Sequence, residues 1–401
     1  MKIVTAKRID SVNEYYFSRK LKEIEVLNQT GEKVINLGIG SPDLAPHESV
    51  ISTLINSSQK SNHHGYQSYK GIIELREAIA NWYQKTYQVS INADKEILPL
   101  LGSKEGVMHI SMTYINDGDE VLIPNPGYPT YTSATNLAGG KAVYYNLNEN
   151  DNWNIDLTEI ARLITPKTKL IWINYPNMPT GAIGDLETLN KLVELAKANN
   201  ILICNDNPYS LTLNNHPTSM LEIEGAKEVV IELNSLSKSH SMAGWRLGMM
   251  VANEDRINEV LKFKSNMDSG MFLPIQHAAV VALNVDDSWY KQTNLIYQKR
   301  KVKALELLDV LNCTYSKNQV GMFVWAKIPQ EVENSTAFTD IILQQSRVFF
   351  TPGIIFGSQG NRYVRVSLCS SEEFLNQAIT RIKSVFASTK KSIQLKSVKN
   401  Y

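Results

Sequence analysis

Lys238 and Arg246 lie in the stretch NSLSKSHSMAGWR, where a lysine sits among small hydroxyl residues and an arginine follows eight positions later. The apolar run 229–233 precedes this stretch, so a strand is expected to end where the polar residues begin. A lysine amine can form a Schiff base with an aldehyde, whereas serine hydroxyls, backbone N–H groups and an arginine suit a phosphate. The stretch therefore suits an aldehyde that also carries a phosphate group.

Two other apolar runs also end in polar residues. NYPNMPTG follows the run 169–173, and NDNPYS, which contains Asp206 and Tyr209, follows the run 201–204. Loops at the carboxyl ends of parallel strands converge, so Asp206, Tyr209 and Lys238 are expected to face one crevice. Taken singly, they could equally be a turn-forming aspartate, a half-buried aromatic residue and a solvated lysine. Together they fit pyridoxal phosphate, because a carboxylate beside a pyridine nitrogen keeps that nitrogen protonated.

The ordered motifs resemble those of the class I/II aminotransferases, the fold type I pyridoxal-phosphate enzymes of the aspartate aminotransferase superfamily. The lysine signature of that family is S-x-S-K, five residues, then G-x-R, and it matches 235–246. Nearly the whole chain is covered, through INLGIGSPDL (35–44), YQSYKGIIELREAI (66–79), LGSKEGV (101–107), PNPGYPTY (124–131) and YVRVSL (363–368). The resemblance implies an α/β fold with a mainly parallel, seven-stranded sheet flanked by helices, plus a smaller α+β domain.

The resemblance also implies a role for each matching residue. Lys238 would form the Schiff base and carry protons, Asp206 would pair with the pyridine nitrogen, and Tyr209 would bond the phenolic oxygen of the cofactor. The implied cofactor-binding residues are Tyr66, Ser103, Lys104, Tyr128, Asn177, Asp206, Tyr209, Ser235, Ser237, Lys238 and Arg246. No metal site is predicted.

Substrate binding and assembly are implied in the same way. Arg365 would clamp the α-carboxylate of the substrate, and the backbone at Gly40 would lie against that carboxylate. Tyr66 matches a tyrosine that reaches the phosphate of the partner subunit, which implies a homodimer with composite sites. The resemblance leaves the amino acid and the oxo acid unidentified.

Met178 departs from the family pattern. Members usually have asparagine immediately before P-T-G, where its amide donates a hydrogen bond to the phenolic oxygen of the cofactor. A thioether donates nothing, so this contact is lost unless Asn177, Asn174 or a water molecule replaces it. We therefore expect the pKa of the lysine-bound cofactor to differ from the family norm.

The implied activity is the ping-pong transfer of an amino group from an L-amino acid to a 2-oxo acid. A β-lyase that cleaves C–S bonds, or another non-transaminating enzyme of this fold, stays open because it would need the same residues. A non-catalytic regulator that keeps the cofactor-binding fold would be expected to lack the lysine, which is present at Lys238.

Composition excludes several other classes of protein. The 401 residues carry a formal charge of +1, which gives no electrostatic reason to expect nucleic acid or an anionic membrane as a partner. Three widely spaced cysteines without a C-x-x-C pair predict neither a disulfide framework nor a zinc site. The N-terminus lacks an apolar leader, so a cytoplasmic protein is expected.

The elements that must position these residues can be read from hydrophobic patterning. Short apolar runs without alternation predict buried, mainly parallel strands. These runs are 120–124, 141–146, 169–174, 201–206, 229–233 and 247–252. Amphipathic stretches between them, such as 185–200, predict helices that cover both faces of the sheet.

Four regions are predicted along the chain. Residues 1–48 should pack with the small domain, and residues 49–284 should form the large cofactor-binding α/β domain. Beyond them, a long helix and two strand-like runs predict a small α+β domain over 285–388. Residues 389–401 form a basic tail that we expect to be a frayed end.

Overall fold

The computed structural model describes residues 3–12, 14 and 16–386; the predicted basic tail lies outside them. The helices are α1 Tyr16–Asn28, α2 Glu48–Ser58, α3 Ile73–Tyr87, α4 Ser103–Tyr114, α5 Pro129–Leu137, α6 Leu157–Leu163, α7 Leu186–Asn199, α8 Leu236–Ser239, α9 Glu254–Lys264, α10 Leu273–Leu283, α11 Asp287–Val310, α12 Ser335–Ser346 and α13 Glu372–Phe386. The strands are β1 Ile35–Asn36, β2 Ile97–Leu100, β3 Glu120–Asn125, β4 Lys141–Asn146, β5 Thr168–Ile173, β6 Leu202–Asp206, β7 Val230–Ser235, β8 Gly248–Val251, β9 Phe323–Lys327, β10 Val348–Phe349, β11 Thr351–Pro352 and β12 Tyr363–Ser367.

A seven-stranded sheet forms the centre of the fold, in the order β2-β8-β7-β6-β5-β3-β4. Strand β8 runs antiparallel to both of its neighbours, and the other neighbouring pairs are parallel. The mainly parallel, seven-stranded sheet predicted from the sequence is therefore confirmed. The six predicted strands correspond to β3 through β8, with ends that shift by at most two residues.

Apolar side chains cover both faces of this sheet, as the non-alternating strands predict. On one face, Leu75 of α3, Leu192 of α7 and Ala278 of α10 belong to one buried cluster. On the other face, Val107 of α4 and Val260 of α9 belong to a second cluster. Helices on both faces leave the carboxyl ends of β5, β6 and β7 as the open edge of the layered core.

A second, smaller group of strands lies near the C-terminus. Strands β11, β12 and β9 form an antiparallel sheet, and β1 pairs in parallel with β10, with Ile35 opposite Val348. In α1, Ile24 packs against Leu343 and Phe349. These contacts join the N-terminal segment to the C-terminal part of the chain; the domain boundaries at 48 and 284 stay a prediction. Within the described residues, no helix is long and apolar enough to cross a membrane.

Candidate active site

One cavity of about 480 Å³ opens at the carboxyl ends of β5, β6 and β7. Asn174 follows β5, Asp206 ends β6 and Ser235 ends β7, so adjacent parallel strands deliver these three side chains to the same place. The predicted site residues that line the cavity are Gly40, Ser103, Lys104, Tyr128, Asp206, Tyr209, Ser235, Ser237, Lys238, Arg246 and Arg365. The structure therefore gathers eleven of the thirteen predicted residues, and only Tyr66 and Asn177 are outside the lining.

Lys238 lies in the short helix α8, immediately after β7. Its Nζ donates a hydrogen bond to the carbonyl oxygen of Gly40 at 2.6 Å and lies 6.0 Å from the ring centroid of Tyr209. Burial lowers the pKa of Lys238, and the nearby guanidinium of Arg365 lowers it further. The lowered pKa favours the neutral amine, which is the form that reacts with an aldehyde.

Asp206 is buried at the floor of the cavity. Its Oδ2 accepts a hydrogen bond from Tyr131 at 3.0 Å, while its Oδ1 is buried and has no hydrogen-bond partner among the described residues. Burial raises the pKa of Asp206 to about 6, although the hydroxyls of Tyr131 and Ser103 and the charge of Lys238 act in the opposite direction. A buried acceptor of this kind fits a protonated ring nitrogen, which would donate the missing hydrogen bond.

Hydroxyls and cations gather at the start of α4. Ser103 begins this helix, directly after Gly102. The φ of Gly102 is +88°, which lies in the region that favours glycine, and a Cβ on Gly102 would collide with Nη2 of Arg246. The Oγ of Ser235 accepts from the backbone N–H of Ser237 at 3.1 Å. Burial and the charge of Arg246 both lower the pKa of Lys104. Two neighbouring cations beside a helix N-terminus and serine hydroxyls fit a phosphate dianion.

Arg365 lies at the opposite wall of the cavity, on β12. Its Nη2 donates to the carbonyl oxygen of Gly38 at 2.9 Å, and its Nη1 lies 3.1 Å from the sulfur of Met178. Its guanidinium carbon is 3.9 Å from the ring centroid of Phe323 and 4.7 Å from that of Phe356. The rings fix the plane of the guanidinium, which suits two parallel hydrogen bonds to a carboxylate.

The amides near Met178 are held by other groups. Asn174 donates to the backbone oxygen of Asp206 at 2.5 Å, and its carbonyl oxygen accepts from the backbone N–H of Met178 at 2.7 Å. Asn177, which the sequence assigned to the cofactor, lies outside the cavity lining, and its carbonyl oxygen accepts from the hydroxyl of Thr180 at 2.8 Å. Asn174 rather than Asn177 is therefore the amide that reaches the cavity.

Tyr66 lies away from the cavity of its own chain, with 93% of its surface exposed. Tyr128 meets Tyr131 edge to face at 5.6 Å, and Tyr131 stacks on Trp172 at 4.9 Å with nearly parallel rings. The ring of Tyr128 thus has a fixed support at the wall where a planar ligand could stack.

Burial raises the pKa of Tyr209, so its phenol keeps the proton that it can donate.

Several lining residues were not predicted from the sequence. They are Phe17, Ile39, Ser41, Tyr131, Pro208, Ala243, Phe323 and Phe356; Asn174 was named only as an alternative donor, and Met178 only as a departure. Tyr131 could have been found, because it lies in the recognised motif PNPGYPTY. The phenylalanines carry no comparable motif and come from distant segments.

Comparisons with known proteins agree with this geometry. The sequence profile described as "Aminotransferase class I and II" matches residues 32–382. An LL-diaminopimelate aminotransferase of Dehalococcoides mccartyi is 38% identical over 94% of this chain and 97% of its own, and one of Halothermothrix orenii is 39% identical over 94% and 98%. The substrate-bound structure of BacF from Bacillus subtilis is 35% identical, with a TM-score of 0.91 over 96% of this chain and 98% of its own.

The relatives and the cavity agree on the family, the cofactor and the reaction. The family and fold predicted from the motifs are confirmed by the profile match and by the solved structures. Pyridoxal phosphate is the cofactor of this family, and the buried acceptor on Asp206, the amine of Lys238 and the cationic pocket at α4 fit it. The chain belongs to the class I and II aminotransferases: it is a pyridoxal-phosphate-dependent transferase that moves amino groups between amino acids and 2-oxo acids.

Proposed function

We propose that Lys238, Asp206 and Tyr209 are the catalytic residues of this aminotransferase. The observation that carries the proposal is that one cavity contains both the half-buried amine of Lys238, whose pKa is lowered by burial, and an unpaired buried carboxylate oxygen on Asp206. Pyridoxal phosphate, when bound, supplies an aldehyde that joins the amine and a ring that withdraws electrons from the substrate Cα. The protein residues supply the proton transfers and the charges that this chemistry needs.

Each proposed role follows from the surroundings of the side chain. Once the amino group of the substrate has displaced it from the aldehyde, Lys238 Nζ takes the proton from the substrate Cα, because burial lowers its pKa and makes the free amine a base. Asp206 Oδ1 holds a proton on the ring nitrogen, and Tyr131 fixes the orientation of this carboxylate through Oδ2. Tyr209 Oη donates to the phenolic oxygen, because burial keeps that phenol protonated. Arg365 binds the substrate α-carboxylate beside the backbone of Gly40.

Phosphate binding involves a separate set of residues. Ser103 and Lys104 contribute backbone N–H groups at the start of α4, and Ser235, Ser237 and Arg246 contribute hydroxyls and a guanidinium. Tyr128 stacks on the ring of the cofactor. Asn174, one of whose amide hydrogens bonds the backbone oxygen of Asp206, takes the place near the cofactor that the sequence gave to Asn177.

The amino donor that fits this cavity best carries an apolar side chain. The lining includes four cations, and the proposal gives Lys104 and Arg246 to the phosphate, Lys238 to the aldehyde and Arg365 to the α-carboxylate. The side chains that lie against Arg365 are Phe17, Phe323, Phe356 and Met178, and the uncharged polar residues Ser41 and Asn174 also line the cavity. A second carboxylate would therefore lose its hydration against aromatic rings without gaining a further cation from the described lining.

A second candidate donor comes from the relatives. Several proteins that are 36–39% identical to this chain are named LL-diaminopimelate aminotransferase. That donor carries a distal ammonium and a distal carboxylate, which groups from the partner subunit would have to bind. The apolar walls of the cavity favour the first candidate.

A donor screen tests the substrate. LL-diaminopimelate, aspartate, leucine and phenylalanine are each mixed with the holoenzyme without an acceptor, and the loss of visible cofactor absorbance is followed in single turnover. Leucine and phenylalanine should react at least about tenfold more efficiently than the charged donors, because a tenfold ratio corresponds to only about 1.4 kcal/mol. A tenfold preference for LL-diaminopimelate would refute the apolar assignment and leave the catalytic residues untouched.

Lys238→Ala tests the catalytic assignment itself. The variant should lose the visible absorbance and the turnover while keeping the far-ultraviolet circular dichroism of the wild type. Retention of either the absorbance or the turnover would refute the role of the lysine. Release of pyruvate and ammonia without an acceptor oxo acid would instead indicate the β-lyase, whereas strict dependence on an acceptor supports the transferase.

A homodimer is also proposed, with Tyr66 reaching the phosphate of the partner subunit. Tyr66 is 93% exposed, and apolar residues that are also exposed lie nearby in sequence or in the loop before α10: Tyr69, Ile73, Met267 and Phe272. Phe272 contacts the ring of His64 at 5.9 Å, so the two segments adjoin. Exposed apolar residues grouped in this way are typical of a protein interface. Sedimentation equilibrium that gave a monomer at micromolar concentration would refute the dimer.

A cytoplasmic location is the last part of the proposal. The cysteines Cys204, Cys313 and Cys369 are all free and buried, which fits a reducing compartment. Fractionation of the source cells with an antibody to the chain would test this, and recovery outside the cytoplasmic fraction would refute it.

A further inference from the structure

A largely buried group of ionisable side chains, called the charged group below, lies behind the first turn of α4, outside the lining of the active-site cavity. Glu105 and His109 come from α4, Lys264 ends α9, and Asp268 follows in the next loop. The side-chain oxygen and nitrogen atoms of Glu105, His109 and Asp268 lie within 4.8 Å of one another. His109 is fully buried and Lys264 is 3% exposed, so three separate elements bring charge into the interior.

Glu105 links this group to the phosphate pocket. Its Oε2 accepts a hydrogen bond from the backbone N–H of Leu101 at 2.5 Å, across the turn that enters α4. The carbonyl oxygen of Leu101 in turn accepts a hydrogen bond from Arg246 Nη2 at 3.4 Å. Glu105 therefore fixes the turn that orients the backbone N–H groups of Ser103 and Lys104 and supports the guanidinium of Arg246.

The other members hold Glu105 in place and keep it charged. Its Oε1 lies 3.2 Å from His109 Nε2, and Lys264 Nζ lies 2.7 and 2.6 Å from the two oxygens of Asp268. Burial alone would raise the pKa of Glu105, but the neighbouring side chains of His109 and Asp268, the charge of Lys264 and the backbone N–H of Leu101 hold it at about 2. The lysine ammonium already supplies the cation that a metal ion would bring, so we assign no metal to this group.

The loop that contains Asp268 also contacts the segment of Tyr66. Gly270 packs so closely on this segment that a Cβ would lie 2.1 Å from the carbonyl oxygen of Gln67. Further along, Gln276 accepts from the backbone N–H of Ile72 at 2.8 Å. The charged group thus contacts the turn at the phosphate pocket of its own chain, and the loop that carries Asp268 continues into residues that pack on the segment of Tyr66.

We propose that Glu105 is a positioning residue for the cofactor phosphate, and that the Lys264–Asp268 pair holds it in the position that sets the Leu101–Ser103 turn. The inference rests on the proposed phosphate pocket and goes beyond it, because Glu105 is outside the cavity lining. Glu105 acts on the ligand only through the backbone N–H groups and Arg246. Its loss should therefore weaken recognition of the phosphate and leave recognition of the pyridine ring unchanged.

Equilibrium binding of pyridoxal phosphate and of pyridoxal, which lacks the phosphate, separates this role from a structural one. Both are titrated into the full-length apoprotein and followed by visible absorbance. Glu105→Ala should weaken pyridoxal phosphate binding by roughly tenfold or more and leave pyridoxal binding within about twofold, given the strength of a hydrogen bond to a charged group. Glu105→Gln keeps the acceptor for Leu101 and should restore most of the affinity.

The matched control is Glu222→Ala, which removes a glutamate that accepts from the backbone N–H of Ser219 at 2.6 Å, in a helical turn outside the cavity lining. It should leave both affinities unchanged. Asp268→Asn, which weakens the partner of Lys264, should reduce the preference for the phosphate in the same direction as Glu105→Ala. If Glu105→Ala or Asp268→Asn weakens both ligands equally, or neither, the positioning role is refuted. A wild-type protein that binds neither ligand would instead refute the proposed cofactor site.

Discussion

Replacing Met178 by asparagine should lower the pKa at which the visible absorbance of the bound cofactor changes. Met178 is buried in the cavity wall, and a thioether cannot donate a hydrogen bond to the phenolic oxygen. Neither nearby amide stands at residue 178: Asn174 is held to the backbone oxygen of Asp206 by one of its N–H groups, and Asn177 lies outside the lining. An asparagine at 178 would introduce an amide N–H at the position where other members of the family carry one.

The size of the effect follows from the strength of one hydrogen bond. A hydrogen bond to a charged acceptor contributes about 1.5–3 kcal/mol, and one pKa unit corresponds to about 1.36 kcal/mol. The new donor stabilises the phenolic oxygen most when the neighbouring nitrogen has lost its proton and the oxygen bears the full negative charge. We therefore expect Met178→Asn to lower the pKa by about 1 to 2 units.

The assay is a spectroscopic pH titration of the holoenzyme without substrate, so it does not depend on turnover. Met178→Leu is the matched control, because it keeps an apolar side chain of similar volume and adds no donor. The leucine variant should titrate at the wild-type pKa. A Met178→Asn variant with an unchanged pKa would refute the reasoning, as would a leucine variant that shifted by the same amount as the asparagine variant.

Three further substitutions test the pocket. Gly102→Ala should weaken cofactor binding by roughly tenfold in an equilibrium titration, because φ is +88° and the new Cβ would displace Arg246; unchanged affinity would contradict this. Arg365→Lys should raise KM for the amino donor more than it lowers kcat, since lysine loses the bidentate geometry; equal KM values would contradict it. Asp206→Asn should stabilise the apoprotein at pH 7 by up to about 3 kcal/mol in urea unfolding, since its pKa rises from 3.8 to about 6. In the wild-type apoprotein, protonated Asp206 contributes to the free energy of unfolding below about pH 3.8, and this contribution is lost as the pH rises through about 6. An Asp206→Asn variant that is no more stable than the wild type at pH 7 would contradict the prediction.

Most of the central sheet could be predicted because its strands are buried on both faces. Non-alternating apolar runs identified β3 through β8, but β2 was missed because it has only four residues and contains Pro99. The hydrophobic pattern also could not predict that β8 runs antiparallel to its neighbours. Its residues Gly248–Val251 are all buried, as they would be in a parallel strand, so composition carries no sign of direction.

The limits of prediction in the site have a different cause. Polar residues at strand ends identified Asp206 and Lys238, because parallel topology alone brings such ends together. The choice between Asn174 and Asn177 depends on how the chain turns after β5, and the spacing of the two residues does not determine that. The apolar wall was missed because Phe17 and Phe323 come from segments about 300 residues apart, which only the tertiary fold brings together.

The apoprotein buries two opposite charges whose surroundings favour their neutral forms. Burial raises the pKa of Asp206 and lowers that of Lys238, so both groups destabilise the folded chain at pH 7 when no ligand is bound. Bound pyridoxal phosphate would compensate both: Asp206 Oδ1 would accept from the protonated ring nitrogen, and Lys238 would give up its ammonium proton to solvent and join the aldehyde with loss of water. The free energy by which these two residues destabilise the folded apoprotein therefore adds to the binding free energy of the cofactor. For this reason, a substitution that neutralises Asp206 or Lys238 should both stabilise the apoprotein and weaken cofactor affinity. Replacement of Glu105 should not stabilise the apoprotein, because neighbouring groups of the chain already balance the charge of this residue.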